Sequence, residues 1–410
     1  MRLRRRIPRF PSVSATKDDM RGKRKMLIDF ATRSECVPRN NVSAEGLWPI
    51  GIDYGFSGIK GFSPNKAFCF PNCAVKLEED NPILDVADTD LVVRDATGTW
   101  VVGERAHEII SPTNAMNYES EMYERNRYFS PFFGALMKAG LALALSSNSF
   151  GKYRGEPIVV QTGLPPKYKQ QDSELIKEAL SGEYDFDMRI GTNSFRHFRF
   201  SIAADNVYVM DQPMGSLIST ITDGQGGQSP ADCMVLRSNT LVFDPGFKTL
   251  DVYDISAGMF KDSNTFDTLG MHEVFRRTVD ELRAVYGANV PVSGMQTAIR
   301  KGYVRAFDRR SLASRNVEFE AVLNRKSDEV CDEAIQKLIS IYDYLQNHDY
   351  LIVTGGAGNA WFPRIEARFR NMESLSILSA NKNDPSLSNT YSNVRGYYLY
   401  LTGMLTRRRR

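Results

Sequence analysis

Apolar and polar positions begin to alternate near Trp48, and the alternation restarts in a similar form near Thr240. Residues 50–55, 59–62 and 67–70 predict three successive strands, and 240–243 with 250–253 predict a second opening of the same kind. Residues 91–94 and 100–102 predict a hairpin turning at 95–99, and 104–110 begins helically. The apolar, Ala- and Leu-rich run 131–145 predicts a buried helix. A strand over 157–162 meets the breaker Gly163-Leu164-Pro165-Pro166, followed by a short helix over 172–180 and strands at 198–202 and 207–210. The Gly-, Gln- and Asp-rich stretch 223–230 is the clearest internal loop. In the second half, 267–286 and 317–347 carry helical patterns, 350–354 reads as a strand, and two helices are expected around 361–370 and 387–405.

With 410 residues, the chain exceeds the size at which a single core stops growing, so two lobes are expected. No apolar stretch reaches the ~18 residues of a membrane span, and the best candidate, 132–145, contains Lys138. Five scattered cysteines lack a zinc spacing, and reduced thiols in a cytoplasmic setting are expected. A Cys69–Cys73 disulfide is the lesser alternative. The net charge of +3 is unevenly spread: residues 1–49 carry +7, Arg407 to Arg410 carry +4, and 51–406 carry −8. The basic ends permit DNA contact through phosphate neutralisation, or serve only as solubilising tails.

Chemistry is suggested by two glycine-punctuated aspartates. Asp53-Tyr54-Gly55-Phe56-Ser57-Gly58-Ile59-Lys60 follows one apolar run, and Asp244-Pro245-Gly246-Phe247-Lys248-Thr249-Leu250-Asp251 follows another. Each predicts strand, tight turn and returning strand, with backbone N–H groups at the bend open to an anion. Asp53 and Asp244 suit a hydrated Mg²⁺, bound through water; Gly55 and Gly58 allow close approach of phosphate, and Lys60 returns beside it. Gly246, Phe247, Lys248 and Thr249 form the second turn. Singly, each reads equally well as an exposed hairpin with a turn carboxylate. As a widely spaced pair they can enclose a di- or triphosphate. A third element, Thr354-Gly355-Gly356-Ala357-Gly358-Asn359, leads from a strand toward a helix and suits close packing against adenosine or phosphate. It has neither the Lys-Ser/Thr ending of a P-loop nor a dinucleotide glycine spacing. His197, among Phe195, Phe198 and Phe200, reads as a core or edge imidazole. Phe129, Phe132 and Phe133 read as helix packing.

Taken in order, these segments resemble the actin-like ATPase superfamily, most closely the bacterial and phage ParM-like segregation actins. The two Asp-Gly turns are similar to its phosphate motifs and 354–359 to its adenosine motif. Gln161-Thr162-Gly163-Leu164-Pro165-Pro166 resembles the Gly-Leu-Pro segment of ParM-like proteins. Asp211-Gln212-Pro213-Met214-Gly215-Ser216 and Asn393-Val394-Arg395-Gly396 resemble the two connecting segments. The resemblance spans about 50–405 and implies an α/β, two-lobed fold with duplicated strand-rich cores around a nucleotide cleft. Its lobes would be 50–222 and 239–388, joined by a flexible crossing at 223–238. Residues 389–406 would return as a helix to the first lobe, flanked by a flexible basic extension (1–49) and a basic tail (407–410).

The resemblance further implies ATP/ADP and Mg²⁺ as cofactors, with catalytic roles for Gln212 and Asp244, and Glu273 near the base. Some segregation actins carry Glu where Gln212 stands; a neutral amide would orient water rather than act as a general base, or would cap the following helix. The expected function is a polymerising ATPase forming filaments in plasmid or phage DNA segregation, with DNA reached through an adaptor–centromere complex. The alternative is a non-polymerising, nucleotide-dependent structural or chaperone-like binding protein.

Overall fold

The computed structural model describes residues 30–78, 86–110 and 125–408. The first lobe opens with β1 (Glu35–Pro38), β2 (Trp48–Tyr54), β3 (Gly58–Ser63) and β4 (Lys66–Pro71). It continues through β5 (Ala74–Leu77), β6 (Leu91–Asp95), β7 (Gly98–Val102), α1 (Glu104–Ile109) and α2 (Pro131–Leu145). Then follow β8 (Ile158–Leu164), α3 (Pro166–Leu180), β9 (Gly182–Ile190), β10 (Arg196–Ile202), β11 (Val207–Asp211) and α4 (Gln212–Ile221). The second lobe runs from α5 (Pro230–Arg237) through β12 (Thr240–Pro245), β13 (Leu250–Ser256), β14 (Met259–Phe266), α6 (Met271–Tyr286) and α7 (Met295–Lys301). A hairpin of β15 (Val304–Asp308) and β16 (Ala313–Val317) precedes α8 (Glu320–Ile341), β17 (Tyr350–Val353), α9 (Gly355–Phe369) and β18 (Ser376–Ser379). The final helix is α10 (Ser392–Arg408).

The main sheets share one topology. In the first lobe the order is β1-β4-β3-β2-β8-β11, and in the second it is β14-β13-β12-β17-β18. In both, a three-strand antiparallel meander is followed by two parallel strands. Removing β1 makes the two orders equivalent, with β2 corresponding to β12 and β3 to β13. Strand β2 is buried at every position, as befits a central strand covered on both faces. The first lobe carries a second sheet, β10-β9-β6-β7-β5. Helix α2 is apolar nearly all round and accordingly buried, with Ser130 accepting the Phe133 N–H at its start.

Helices α4 and α10 join the lobes, packing against each other and against the sheets, α4 on β12 and β13 and α10 on β2 and β8. Arg395, buried in α10, donates from Nη1 to the Ser219 carbonyl (2.8 Å) and from Nη2 to that of Thr222 (3.0 Å), satisfying carbonyls at the end of α4.

Several expectations are revised. The 1–49 extension includes β1, which pairs with the free edge of β4 and satisfies that strand's backbone; residues 1–29 lie outside the described residues. The crossing 223–238 contains α5, started by a Ser229–Asp232 capping box. The three glycines after β17 form the first turn of α9 rather than a loop. Strands β9, β14 and β18, helix α7 and the β15–β16 hairpin were not anticipated. All five cysteines are unpaired, Cys69 and Cys73 included. Phe132 and Phe133 are buried, whereas Phe129, in the turn before the helix, is exposed at 52%. His197 lies exposed on β10, with Nδ1 3.1 Å from Asp187 Oδ1. Among the described residues no helix is long and apolar enough to cross a membrane, and no cluster of metal-ligating side chains occurs.

Candidate functional site between the lobes

Corresponding ends of the duplicated meanders converge on one cavity of about 320 Å³. In the first lobe, Asp53 near the end of β2 faces Lys60 across the β2–β3 ladder. The Lys60 ammonium donates to Asp53 Oδ2 at 3.1 Å, and the Gln212 side-chain amide donates to Oδ1 at 3.1 Å. Burial works to lower the Lys60 pKa, but Asp53 and other neighbouring groups outweigh it, so the ammonium is held above its ordinary value. Gly55 sits in a crowded turn: a Cβ there would stand 3.1 Å from the Gly58 carbonyl and 3.3 Å from both Asp53 Oδ2 and Lys60 Nζ.

In the second lobe, Asp244 occupies the position of Asp53, and its ladder partner is Asp251 where the first lobe has Lys60. This exchange of lysine for aspartate leaves two buried carboxylates on adjacent strands. Desolvation pushes Asp244 up to about 6, only partly countered by Asn393 and Lys60. Asp251 is pushed up to about 7, by burial and by Asp244, against hydrogen bonds from Thr265 (2.6 Å) and Thr249 (3.0 Å). Asn393 Nδ2 donates to Asp244 Oδ2 at 2.7 Å, and Ser216 bonds both Asn393 (2.6 Å) and Thr354 (2.5 Å). A continuous polar chain thus ties α10, α4 and the start of α9 to the Asp244 carboxylate.

The third wall is the start of α9. Gly355 adopts φ +76°, and a Cβ there would come within 2.5 Å of Asp244 Oδ1. Thr354 makes no side-chain cap, so the first-turn N–H groups beside the cavity are not consumed by it.

Of the residues singled out in the sequence, Asp53, Gly55, Ser57, Lys60, Gln212 and Asp244 line the cavity. So do Gly246, Phe247, Lys248, Thr249, Gly355, Gly356, Ala357 and Asn359. Three others do not. Gly58 sits behind the turn against Thr32 and Phe70, and Gly358 packs on Val353 and Pro245. Glu273 is engaged by Arg276 and Arg277, which hold its carboxyl down to about 2. Asp211 turns away from the cavity to Lys169 at 3.0 Å. Asp251 and Asn393 line the cavity without having been given roles; the signal for Asp251 was its seven-residue spacing from Asp244, matching Asp53 to Lys60.

This architecture, two lobes with duplicated sheets around a glycine-walled cleft, is the actin-like fold. The family model "Actin like proteins N terminal domain" matches residues 51–215. Among solved structures the chain is similar to a 15-stranded ParM filament from Clostridium botulinum, with TM-score 0.65 and 18% identity over 86% of this chain and 98% of that one. It is similar to a non-polymerisable quadruple mutant of pCBH ParM, with TM-score 0.63 and 18% identity over 87% and 99% of the two chains. An archaeal actin homolog in complex with ADP gives TM-score 0.58 and 16% identity over 85% and 97%. No curated protein sequence matches the chain.

Proposed function

We propose that this chain is a Mg-dependent ATP phosphohydrolase that assembles into filaments in the cytoplasm and serves plasmid or phage DNA segregation through an adaptor–centromere complex. The observation that carries this reading is the convergence of Asp53, Asp244 and the uncapped start of α9 on one cavity. The donor set fits a metal–nucleotide. Hard carboxylate oxygens suit a hydrated Mg²⁺, and burial raises Asp244 and Asp251, a cost of ionisation that a bound cation would offset. Glycines at 55 and 355 leave space that a Cβ would fill, and the α9 N–H groups suit an anion.

When bound, Mg-ATP would supply the transferable phosphoryl group and the cation that offsets its charge. Gln212 is held by its amide hydrogen bond to Asp53, and its carbonyl oxygen is an acceptor able to orient water. An amide is not a base at neutral pH, so its contribution is positional. Gln212 is also the first residue of α4, which makes the site and the helix joining the lobes one mechanical unit. Asn393 extends that unit to α10. Cleavage or release of phosphate would thereby alter lobe geometry and, with it, assembly contacts.

Filament formation in this reading draws support from the similarity to the ParM filament from Clostridium botulinum. It is tested by sedimentation and electron microscopy of the purified chain with Mg-ATP, Mg-ADP and a non-hydrolysable analogue. Pelleting that depends on nucleotide supports it; a monomer under all three conditions, across concentration and salt, overturns it in favour of a non-polymerising nucleotide-dependent binding protein.

A further inference from the structure

The segment preceding β1 crosses the mouth of the cleft and is anchored on both sides. Phe30 and Ala31 pack against the core of the second lobe, and the Thr32 N–H donates to Gln296 Oε1 on α7 at 3.1 Å. Gln296 is itself buried. On the other side, the Ser34 N–H donates to Glu104 of α1, Glu35 Oε2 accepts from Tyr391 at 3.1 Å, and β1 joins the sheet of the first lobe. The Thr32 methyl fills the space behind the first glycine turn, 2.6 Å from where a Gly58 Cβ would lie. Above this strap the lobes already touch, Thr297 Oγ1 donating to the His107 carbonyl at 3.2 Å.

The strap also brings charge. Arg33 lines the cavity and has no carboxylate partner among the described residues. Lys60, by contrast, is already committed to Asp53. The rest of the cavity wall carries the acids Glu35, Asp53, Asp244 and Asp251 against Lys60 and Lys248, the latter with its ammonium 5.0 Å from the Phe56 ring centroid, so a polyanion entering it gains from a further cation.

We propose that Phe30–Glu35 is a cross-lobe strap that forms part of the nucleotide site and supplies Arg33 as a phosphate-binding cation favouring the triphosphate over the diphosphate. The inference rests on the nucleotide reading above. Its backbone anchors hold residue 33, which is exposed, at the cavity wall. Because they reach both lobes, opening of the cleft must break at least one set. The same contacts that present Arg33 therefore slow escape of the bound nucleotide.

The test uses the full chain, with fluorescent ATP and ADP analogues titrated into wild type, Arg33→Ala and Arg33→Lys, and dissociation followed by stopped flow. Arg33→Ala is expected to weaken ATP about tenfold and ADP by less, with faster release, and Arg33→Lys to recover part of the loss. Hydrogen exchange on the nucleotide-free chain should show protected Thr32 and Ser34 amides. Unchanged ATP affinity in Arg33→Ala, or an equal loss for ATP and ADP that lysine does not recover, overturns the inference while leaving the nucleotide reading intact. A wild-type chain that binds neither nucleotide overturns both.

Discussion

Gly396 on the terminal helix lies against Gly215 on the connecting helix so closely that a Cβ on Gly396 would stand 1.7 Å from the Gly215 carbonyl oxygen. The contact lets α4 and α10 approach backbone to backbone beneath the cleft. Flanking residues use that proximity: Asn393 reaches Asp244, and Arg395 reaches the end of α4. Three of the four residues in the Asn393-Val394-Arg395-Gly396 segment thus act on the joint between the lobes.

Gly396→Ala is expected to separate the two helices and destabilise the chain by at least about 1–3 kcal/mol. Gly403→Ala is the matched control, since nothing lies within 4 Å of its added methyl and it sits in the same helix. There the change should be neutral or stabilising by up to about 1 kcal/mol. Calorimetric melting of both variants checks the contrast; equal Tm values would refute the close-packing account.

Asp244→Ala should impair Mg-ATP binding and cleavage together, whereas Gln212→Ala should retain most binding and slow cleavage about 10²-fold or more. Affinity measurements and single-turnover assays on folded monomers separate the two effects. An unchanged cleavage rate in Gln212→Ala would remove its water-positioning role, whatever happens to assembly. Normal affinity and cleavage in Asp244→Ala would undo the placement of the second phosphate turn.

The elevated carboxylates predict a particular pH response. Asp244 is pushed up to about 6 and Asp251 up to about 7, both above the unfolded carboxylate range. Through these two groups the folded chain holds more protons than the unfolded chain from about pH 5 to about pH 7, and their contribution to stability falls as pH rises through that window, whereas His107, held down to about 3 by burial, acts in the opposite direction. Carboxylates held low, such as Asp232 and Glu273 at about 2, lose their contribution as pH falls below about 5, outside that window. Asp251→Asn should flatten the slope and raise stability near pH 8, by on the order of 1–3 kcal/mol. Urea unfolding at several pH values reads this directly; a slope identical to wild type would show that Asp251 carries no such load.

Binding of Mg-nucleotide should release protons between about pH 6 and 7, because a cation favours the ionised forms of these carboxylates. Titration calorimetry in buffers of different ionisation enthalpy measures the number released. A buffer-independent heat would mean that Asp244 and Asp251 are already ionised, or never become so.

Much of the first lobe was legible because its elements carry their own local signals. The alternation around Ile52 and Ile59 marked β2 and β3, and the largely apolar run after Pro131 marked α2 to the residue. Strand β9 was not anticipated although Glu183, Asp185 and Asp187 alternate with the apolar Tyr184, Phe186 and Met188, the period-2 pattern of a half-buried strand. Strand β14 has little apolar content because it is an edge. The glycines at 355 and 356 read as a loop by propensity, yet start a helix because packing of α9 outweighs their entropy cost.

By itself the sequence determined the repeated strand–turn–strand units, the two aspartates that open them and the glycines that leave room at each bend, since these depend on backbone geometry within a few residues. Tertiary structure alone decided what those aspartates meet. The ladder registers set Lys60 against Asp53 but Asp251 against Asp244. The crossing of α4 and α10 brought Asn393 to Asp244, and the strap brought Arg33 to the cavity from outside both repeats. The last two join residues far apart in the chain through burial and hydrogen-bond satisfaction, which no local pattern encodes.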